Sequence, residues 1–370
     1  MKSLFLLLLS IAMSVNLRPE FSTFMSKYEK NYLPGEVFLR NRIYEENMKF
    51  ARNVNTQGLT YTLGDSPFAD MTNEEFTTSK LCGGLIPMDL SDIPVATTAM
   101  LKEQAKLTAF QMLNQPSVLS TTSGGTTTDN DLDIEDAEGT WKTHPNMSPV
   151  RDQRECAAGW AFATAGSTET RYSFRKLKTI KLSAQQLIDC DFTSENCEGG
   201  SIERGFKYIK KHRLCTESAY PYTAEYGECH EETCNTEYTI DAITQIPMNH
   251  GRDLKWAIVG GPIATAVDAS SIHFQLYSGG IINNPHICTT NTTHAVMLVG
   301  FAPNYLMVKN SWGHTWGEDG YFRIRYDPTG EGLCGINKQI LAPTVMGVLY
   351  FSLLQTRQNI SKRKEFHVHN

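Results

Sequence analysis

No stretch of the sequence is apolar for the roughly 20 consecutive residues that a membrane-spanning helix requires. The two apolar runs, at 4–13 and 345–354, are both short. Positive charge is not in excess either. Lys and Arg number 34 against 40 Asp and Glu, a net charge of −6, whereas a nucleic-acid-binding domain normally carries a basic face. Charged residues make up only 20% and hydrophobic residues 41%, which excludes a wholly disordered or fibrous chain. No internal repeat is visible. The 370 residues leave room for about two domains.

Cysteine, by contrast, is plentiful. Nine residues exceed an ordinary cytosolic complement and read first as a disulfide set. The N-terminus agrees with that compartment. Met1 and Lys2 precede Leu4–Leu9 and the small residues Ala12 and Ser14, the pattern of a secretory signal peptide over 1–14. The expected location is the secretory pathway, ending outside the cell or in a lysosome or vacuole. The apolar run at 345–354 is followed by Arg357, Lys362, Arg363 and Lys364. Residues 346–370 read as a tail that packs on the domain, with contact to a membrane surface as the alternative.

Between these ends the pattern changes several times. Residues 36–55 carry Phe38, Ile43, Met48 and Phe50 among charges without a breaker, which predicts a helix. A second helix is expected near 100–113. The run at 120–129 is rich in Ser, Thr and Gly, has no periodicity and reads as linker. The acidic residues from Asp129 to Glu138 read as a solvated edge. Helical patterns return at 159–175 and 185–189. Short apolar runs at 264–267, 295–301, 306–309 and 321–324, separated by Gly, Pro and Asn, read as strands. A helical lobe followed by a β lobe gives an α+β body in two lobes, with a cleft between them as the expected ligand site.

The most informative segment is Gln153-Arg-Glu-Cys-Ala-Ala-Gly-Trp-Ala-Phe162. A papain-type nucleophile sits in a Cys-Gly-Ser/Ala-Cys-Trp/Tyr context, with His and Asn about 130–150 residues downstream. His294 and Asn310 stand at that spacing, in Thr293-His-Ala-Val-Met-Leu-Val-Gly-Phe301 and Lys309-Asn-Ser-Trp-Gly-His-Thr-Trp-Gly317. The chain resembles the papain-like cysteine peptidases of the cathepsin L type. Glu36, Arg40, Tyr44, Asn47, Ala51 and Asn55 match the spacing of the family's propeptide helix motif, with Tyr44 and Ala51 in place of Phe and Ile. Gly64, Phe68 and Asp70 match its second propeptide motif, with Ser66 where Asn is usual. Leu182-Ser-Ala-Gln-Gln-Leu-Ile-Asp-Cys190, Cys197-Glu-Gly-Gly200, Tyr220-Pro-Tyr222 and Phe274-Gln-Leu-Tyr-Ser-Gly-Gly280 match further landmarks in order.

The resemblance implies a two-lobed papain-like fold behind a helical inhibitory propeptide. The expected division is signal peptide 1–14, propeptide 15–86, linker 87–130, peptidase domain 131–345 and tail 346–370. Within the peptidase domain, the helical lobe takes about 142–245 and the β lobe about 246–345. In the family a thiol at a helix N-terminus becomes a thiolate by passing its proton to a His, here matched by His294. Asn310 orients that imidazole, Trp312 shields their hydrogen bond, and Gln153 stabilises the oxyanion. Gly199 and Gly200 would bond an extended peptide backbone. The nucleophile's own position, just before Trp160, is Gly159, which has nothing to attack with. Cys156 lies nearly a turn earlier and in the family is disulfide-bonded.

Arg154, Glu155 and Ala157 also depart from the pattern. One reading is a proteolytically inactive homologue that retains a peptide-binding cleft. The other is an active cysteine endopeptidase in which Gly159 is an isolated change. A structural or storage role is a third. Without a nucleophile the chain could not remove its own propeptide.

By resemblance Cys156 pairs with Cys197, Cys190 with Cys229, and Cys288 with Cys334. Cys82 falls in the propeptide, which leaves Cys215 and Cys234 as an extra bridge. A zinc site using Cys229, His230 and Cys234 is the rival reading. No cofactor or metal is expected. The expected partners are a peptide or protein in the cleft and the chain's own propeptide, in a monomer without nucleic acid. Asn146, Asn291 and Asn359 open glycosylation sequons; Pro149 makes the first a poor acceptor, and Asn291 lies beside the cleft rim.

Overall fold

The computed structural model describes residues 17–81, 85–111, 119–121, 134, 136–234, 236–247 and 250–345. The signal peptide, Cys82, most of the Ser/Thr/Gly run, the tail and Asn359 lie outside the described residues. Helices are α1 (Pro19–Lys27), α2 (Val37–Asn55), α3 (Asn73–Lys80), α4 (Thr98–Gln111), α5 (Gly159–Lys176), α6 (Ala184–Cys190), α7 (Ile202–His212), α8 (Gly251–Val259) and α9 (Ile272–Gln275). Strands are β1 (Tyr61–Leu63), β2 (Leu119–Thr121), β3 (Ala137–Thr140), β4 (Leu214–Cys215), β5 (Glu237–Tyr238) and β6 (Ala242–Gln245). They continue as β7 (Ile263–Val267), β8 (Tyr277–Ile282), β9 (His294–Phe301), β10 (Tyr305–Lys309), β11 (Tyr321–Arg325) and β12 (Leu341–Thr344).

The main sheet runs β1-β8-β11-β10-β9-β7-β12-β6, with the β2–β3 hairpin joined to β9 through β3. Its two ends come from unexpected places. β1 belongs to the pro-region and pairs antiparallel with β8, so the pro-region adds a strand to the peptidase sheet. β6, at 242–245, falls within the span assigned to the helical lobe but pairs along its length with β12. Every residue of β7 and β9 is buried, as expected of strands covered on both faces.

α5 separates the lobes. It is buried on nearly all sides, unlike a surface helix with one apolar stripe. Its polar residues satisfy themselves locally: Thr164, Ser167, Thr168 and Thr170 donate back to carbonyls one turn earlier. Ala161, Ala163, Ala165 and Gly166 keep the helix thin where β9 crosses it; a Cβ at Gly166 would lie 3.3 Å from Met297 Sδ. Leu177, in the left-handed region, ends the helix.

α3 is fixed by a capping box. Thr72 accepts from the Glu75 amide at 3.1 Å, and Glu75 accepts from the Thr72 amide at 2.8 Å, which satisfies two otherwise orphaned N–H groups. The span 87–130, expected as a linker, does contain the helix anticipated near 100–113. Where it is described, however, it is docked: Leu101 and Ala105 of α4 are buried, and α4 packs on α8. The disulfides join Cys156–Cys197, Cys190–Cys229, Cys215–Cys234 and Cys288–Cys334. Cys229 and Cys234 therefore have no thiolate to offer, which removes the zinc reading.

Candidate active site

Three elements meet at the cleft. β9 opens with His294, the residue after β10 is Asn310, and α5 begins at Gly159. Strand pairing sets the first two side by side, since Lys309 is in register with Met297. His294 Nε2 lies 2.8 Å from Asn310 Oδ1. The same oxygen accepts from the Ser311 amide at 2.8 Å, so it serves as an acceptor and His294 Nε2 carries the proton. The imidazole stacks on Trp312 with ring centroids 4.7 Å apart. Burial pushes its pKa down from 6.5 to about 4, the Asn310 bond opposing the shift. The ring is therefore neutral, with Nδ1 as a free base on the side facing α5.

Behind this dyad a buried polar network ties β10 to α5. Lys309 Nζ donates to Ser148 O at 2.6 Å and to Ser148 Oγ at 3.1 Å. Ser148 Oγ donates to the carboxylate of Glu169 on α5, which also receives Arg151 at 3.2 Å and the Leu182 amide at 2.8 Å. Burial lowers the Lys309 pKa to about 8, and the ammonium is still charged at neutral pH. The network fixes the strand that carries Asn310 against the helix that carries Gly159.

A match to the papain family cysteine protease model over residues 137–344 takes in all of these groups. The chain belongs to the papain family of cysteine proteases. Residues 21–76 match the family's cathepsin propeptide inhibitor domain, I29. Cysteine protease XCP2 of Arabidopsis thaliana is 34% identical, over 88% of this chain and 85% of that protein. Vignain of Vigna mungo is 33% identical, over 82% and 78%. Among solved structures, recombinant stem bromelain precursor matches with a TM-score of 0.72 and 29% identity, covering 89% of this chain and 98% of that one. Digestive procathepsin L2 from Tenebrio molitor matches with a TM-score of 0.73 and 29% identity, covering 88% and 99%.

Within this papain-family site the imidazole leaves little room at Gly159. A Cβ placed there would lie 2.5 Å from His294 Cε1, 2.6 Å from Nδ1 and 3.1 Å from Ala295 O. The ring occupies the volume that a side chain at 159 would need. Gln153 is fully buried. Its Nε2 donates to Cys156 O at 3.0 Å and to Lys80 O at 2.9 Å, and its Oε1 accepts from Ser311 Oγ at 2.7 Å. The amide expected to serve as oxyanion donor is thus engaged by the Lys80 carbonyl, just downstream of the inhibitor domain.

The pro-region covers the rest of the cleft. Phe68 and Phe76 meet Trp312 edge-on at 5.8 and 5.2 Å. Lys80 Nζ donates to Arg154 O at 2.8 Å and pairs with Glu155 at 2.9 Å. Lys80 is therefore held by the backbone at Arg154, which any residue there would offer, and by the side chain of Glu155, one of the departures from the family motif. Arg154 takes a φ of +50°, an uncommon conformation for a non-glycine residue, and its guanidinium lies over Tyr222. At Gly200 the Ile86 amide donates to the carbonyl at 3.0 Å. A side chain at Gly200 would strike the Trp160 ring at 2.4 Å, so only glycine fits. Gly199, at φ 137°, sits beside it in a conformation that also favours glycine.

The sequence-expected residues His294, Asn310, Trp312, Gln153 and Gly159 all converge on this cleft. The roles of Lys80, Ser311 and Phe76 carried no signal in the sequence. Asn291 is exposed on the turn leading into β9.

Proposed function

We propose that this papain-family chain is catalytically silent and acts through binding rather than peptide hydrolysis. The observation that carries the reading is Gly159, the nucleophile position by resemblance, with the His294 imidazole seated against its Cα. In this arrangement His294 keeps a base at Nδ1 and Asn310 keeps its orientation, but no thiol stands at the start of α5. Losing the nucleophile of a hydrolase costs about 10⁶ in kcat. The departures at Arg154, Glu155 and Ala157 support the reading, because an isolated change at 159 would leave its neighbours in the family pattern.

Peptide binding would use Gly199 and Gly200, where the chain's own Ile86 already bonds. An outside peptide must displace that segment. The leader-like N-terminus and the four disulfides support passage through the secretory pathway, and a glycan on Asn291 would stand at the cleft rim.

The test is a matched pair, wild type and Gly159→Cys. Both are made as full chains, treated with pepsin at acid pH to clear the pro-region, and assayed on a fluorogenic dipeptide under reducing conditions. Turnover by the variant alone is the expected result. Turnover by the wild type that a cysteine-alkylating epoxide blocks would overturn the reading and favour an active endopeptidase. Silence in both would keep the inert assignment and remove the competent cleft, leaving a structural role.

A further inference from the structure

The pro-region does not end with the inhibitor domain at residue 76. It continues over the peptidase body through four successive anchors. Lys80 is the first: its side chain is only 5% exposed, its ammonium sits on Arg154 and Glu155, and its carbonyl takes the Gln153 amide. The second is the crossing at Gly200, where Ile86 bonds and Leu85, Met88 and Leu90 pack against the helical-lobe core. Ile93 is buried within that core.

The third anchor closes a sheet edge. Gln245 of β6 donates to Pro94 O at 2.9 Å and accepts from the Ala96 amide at 2.8 Å. Unpaired backbone groups on an edge strand would otherwise face solvent. The fourth anchor is α4 on α8. Leu101 is 3% and Ala105 1% exposed, Thr108 Oγ1 donates to Gly260 O at 3.4 Å, and the Lys102 ammonium stands 5.6 Å from the Trp256 ring.

A helix of this length is marginal by itself in water, so its order comes from the docking. Stripping it away would leave apolar surface of α8, including the Trp256 ring that Lys102 faces, without cover. Here the surface of the body is completed by residues upstream of the matched peptidase domain.

We propose that residues 80, 81 and 85–111 form a strap that stays on the peptidase body when the chain is cut downstream of it. The pro-region then persists as a bound second chain over the cleft instead of leaving as a spent propeptide. The strap needs neither an active nor a silent nucleophile position, so it goes beyond the reading above, and its test uses no peptidase activity.

The test inserts a site-specific protease sequence between residues 122 and 133 of the full chain and cuts it to completion at neutral pH. Hydrogen exchange is followed for amides 96–108, and release of the pro-fragment is followed on a sensor surface. Those amides should stay protected at least about 100-fold over a free peptide, as in the uncut chain. Free-peptide exchange across 96–108, with α1–α3 still protected, would overturn the proposal. Ala105→Arg, which forces a long side chain between α4 and α8, should speed release of the pro-fragment about tenfold or more. Ala96→Pro removes one edge hydrogen bond and should speed it about threefold to tenfold. Wild-type release rates in both variants would show that the inhibitor domain alone does the holding, and would also overturn the proposal.

Discussion

Gly159→Ala tests the packing at the centre of the cleft with one methyl group. At the first turn of α5, replacing Gly by Ala would ordinarily gain up to about 1 kcal/mol in helix propensity. Here the new Cβ would stand 2.5 and 2.6 Å from His294 Cε1 and Nδ1, and 3.1 Å from Ala295 O. Ordinary carbon contacts begin near 3.5 Å, so the ring must retreat by about 1 Å. It has nowhere simple to go. Trp312 stacks on it, Asn310 holds Nε2, and Ala295 O is backbone. Overpacking of this kind costs about 1–3 kcal/mol, which outweighs the propensity gain. We expect a net loss of about 1–2 kcal/mol in urea unfolding of the full chain, read from tryptophan fluorescence. In a His294→Ala background the obstacle is gone, and the same methyl should be neutral or stabilising. The coupling between the two sites should be about 1–3 kcal/mol. An equal effect of Gly159→Ala in both backgrounds, or a stabilisation in the wild type, would refute the placement of the imidazole against Gly159.

Three further outcomes follow from the same geometry. His294 has a folded pKa near 4 against an ordinary 6.5, so between those values the unfolded chain binds more protons and stability falls as pH falls. From pH 7.5 to 4.5 this one group should account for about 2.5 kcal/mol; unfolding of wild type and His294→Gln at both pH values should differ by that amount, and an equal pH dependence would exclude a buried neutral imidazole. Thr72→Ala breaks the capping box of α3 and should cost about 1 kcal/mol, visible as a lower urea midpoint. Phe76→Ala empties a fully buried site against Trp312 and should cost about 3–5 kcal/mol, with the Trp312 emission shifting to the red as water reaches the ring; an unshifted spectrum would place Phe76 elsewhere.

What could be read in advance divides along physical lines. Gln153, His294 and Asn310 were legible because a fixed order of chemically scarce residues survives in the sequence. Strands β7, β9, β10 and β11 were legible from short apolar runs between breakers, although such runs do not reveal which strands pair, and β8, with two glycines at its centre, was not among them. β6 shows the limit: Ala242-Ile-Thr-Gln245 resembles its helical-lobe neighbours in composition, and only its pairing with β12 assigns it to the sheet. β1, three residues long, is too brief for any period to register. The Lys80 clamp joins residues more than 70 positions apart, and nothing local distinguishes that lysine from its neighbours. α4 was legible as a helix, but its docking on α8 is tertiary information.

The departures around Gly159 acquire a common meaning only when these non-local contacts are included. Interiors are close-packed, and beside Gly159 the space is filled by the imidazole of His294. The Gln153 amide, buried beside that ring, must have its protons accepted, because an unpaired amide in the interior is costly. Cys156 O and Lys80 O are the acceptors, and the Arg154 carbonyl and the Glu155 carboxylate hold the lysine. The absent side chain at Gly159, the engaged Gln153 amide and the docked pro-region thus meet in one packed site. On this reasoning Gly159→Cys alone should regain less activity than Gly159→Cys combined with Lys80→Ala. Comparison of the two variants on the same fluorogenic dipeptide, without pepsin, separates the contribution of the thiol at 159 from that of the occupied cleft to the proposed silence. Equal rates would mean that the Lys80 clamp contributes nothing to closing the site.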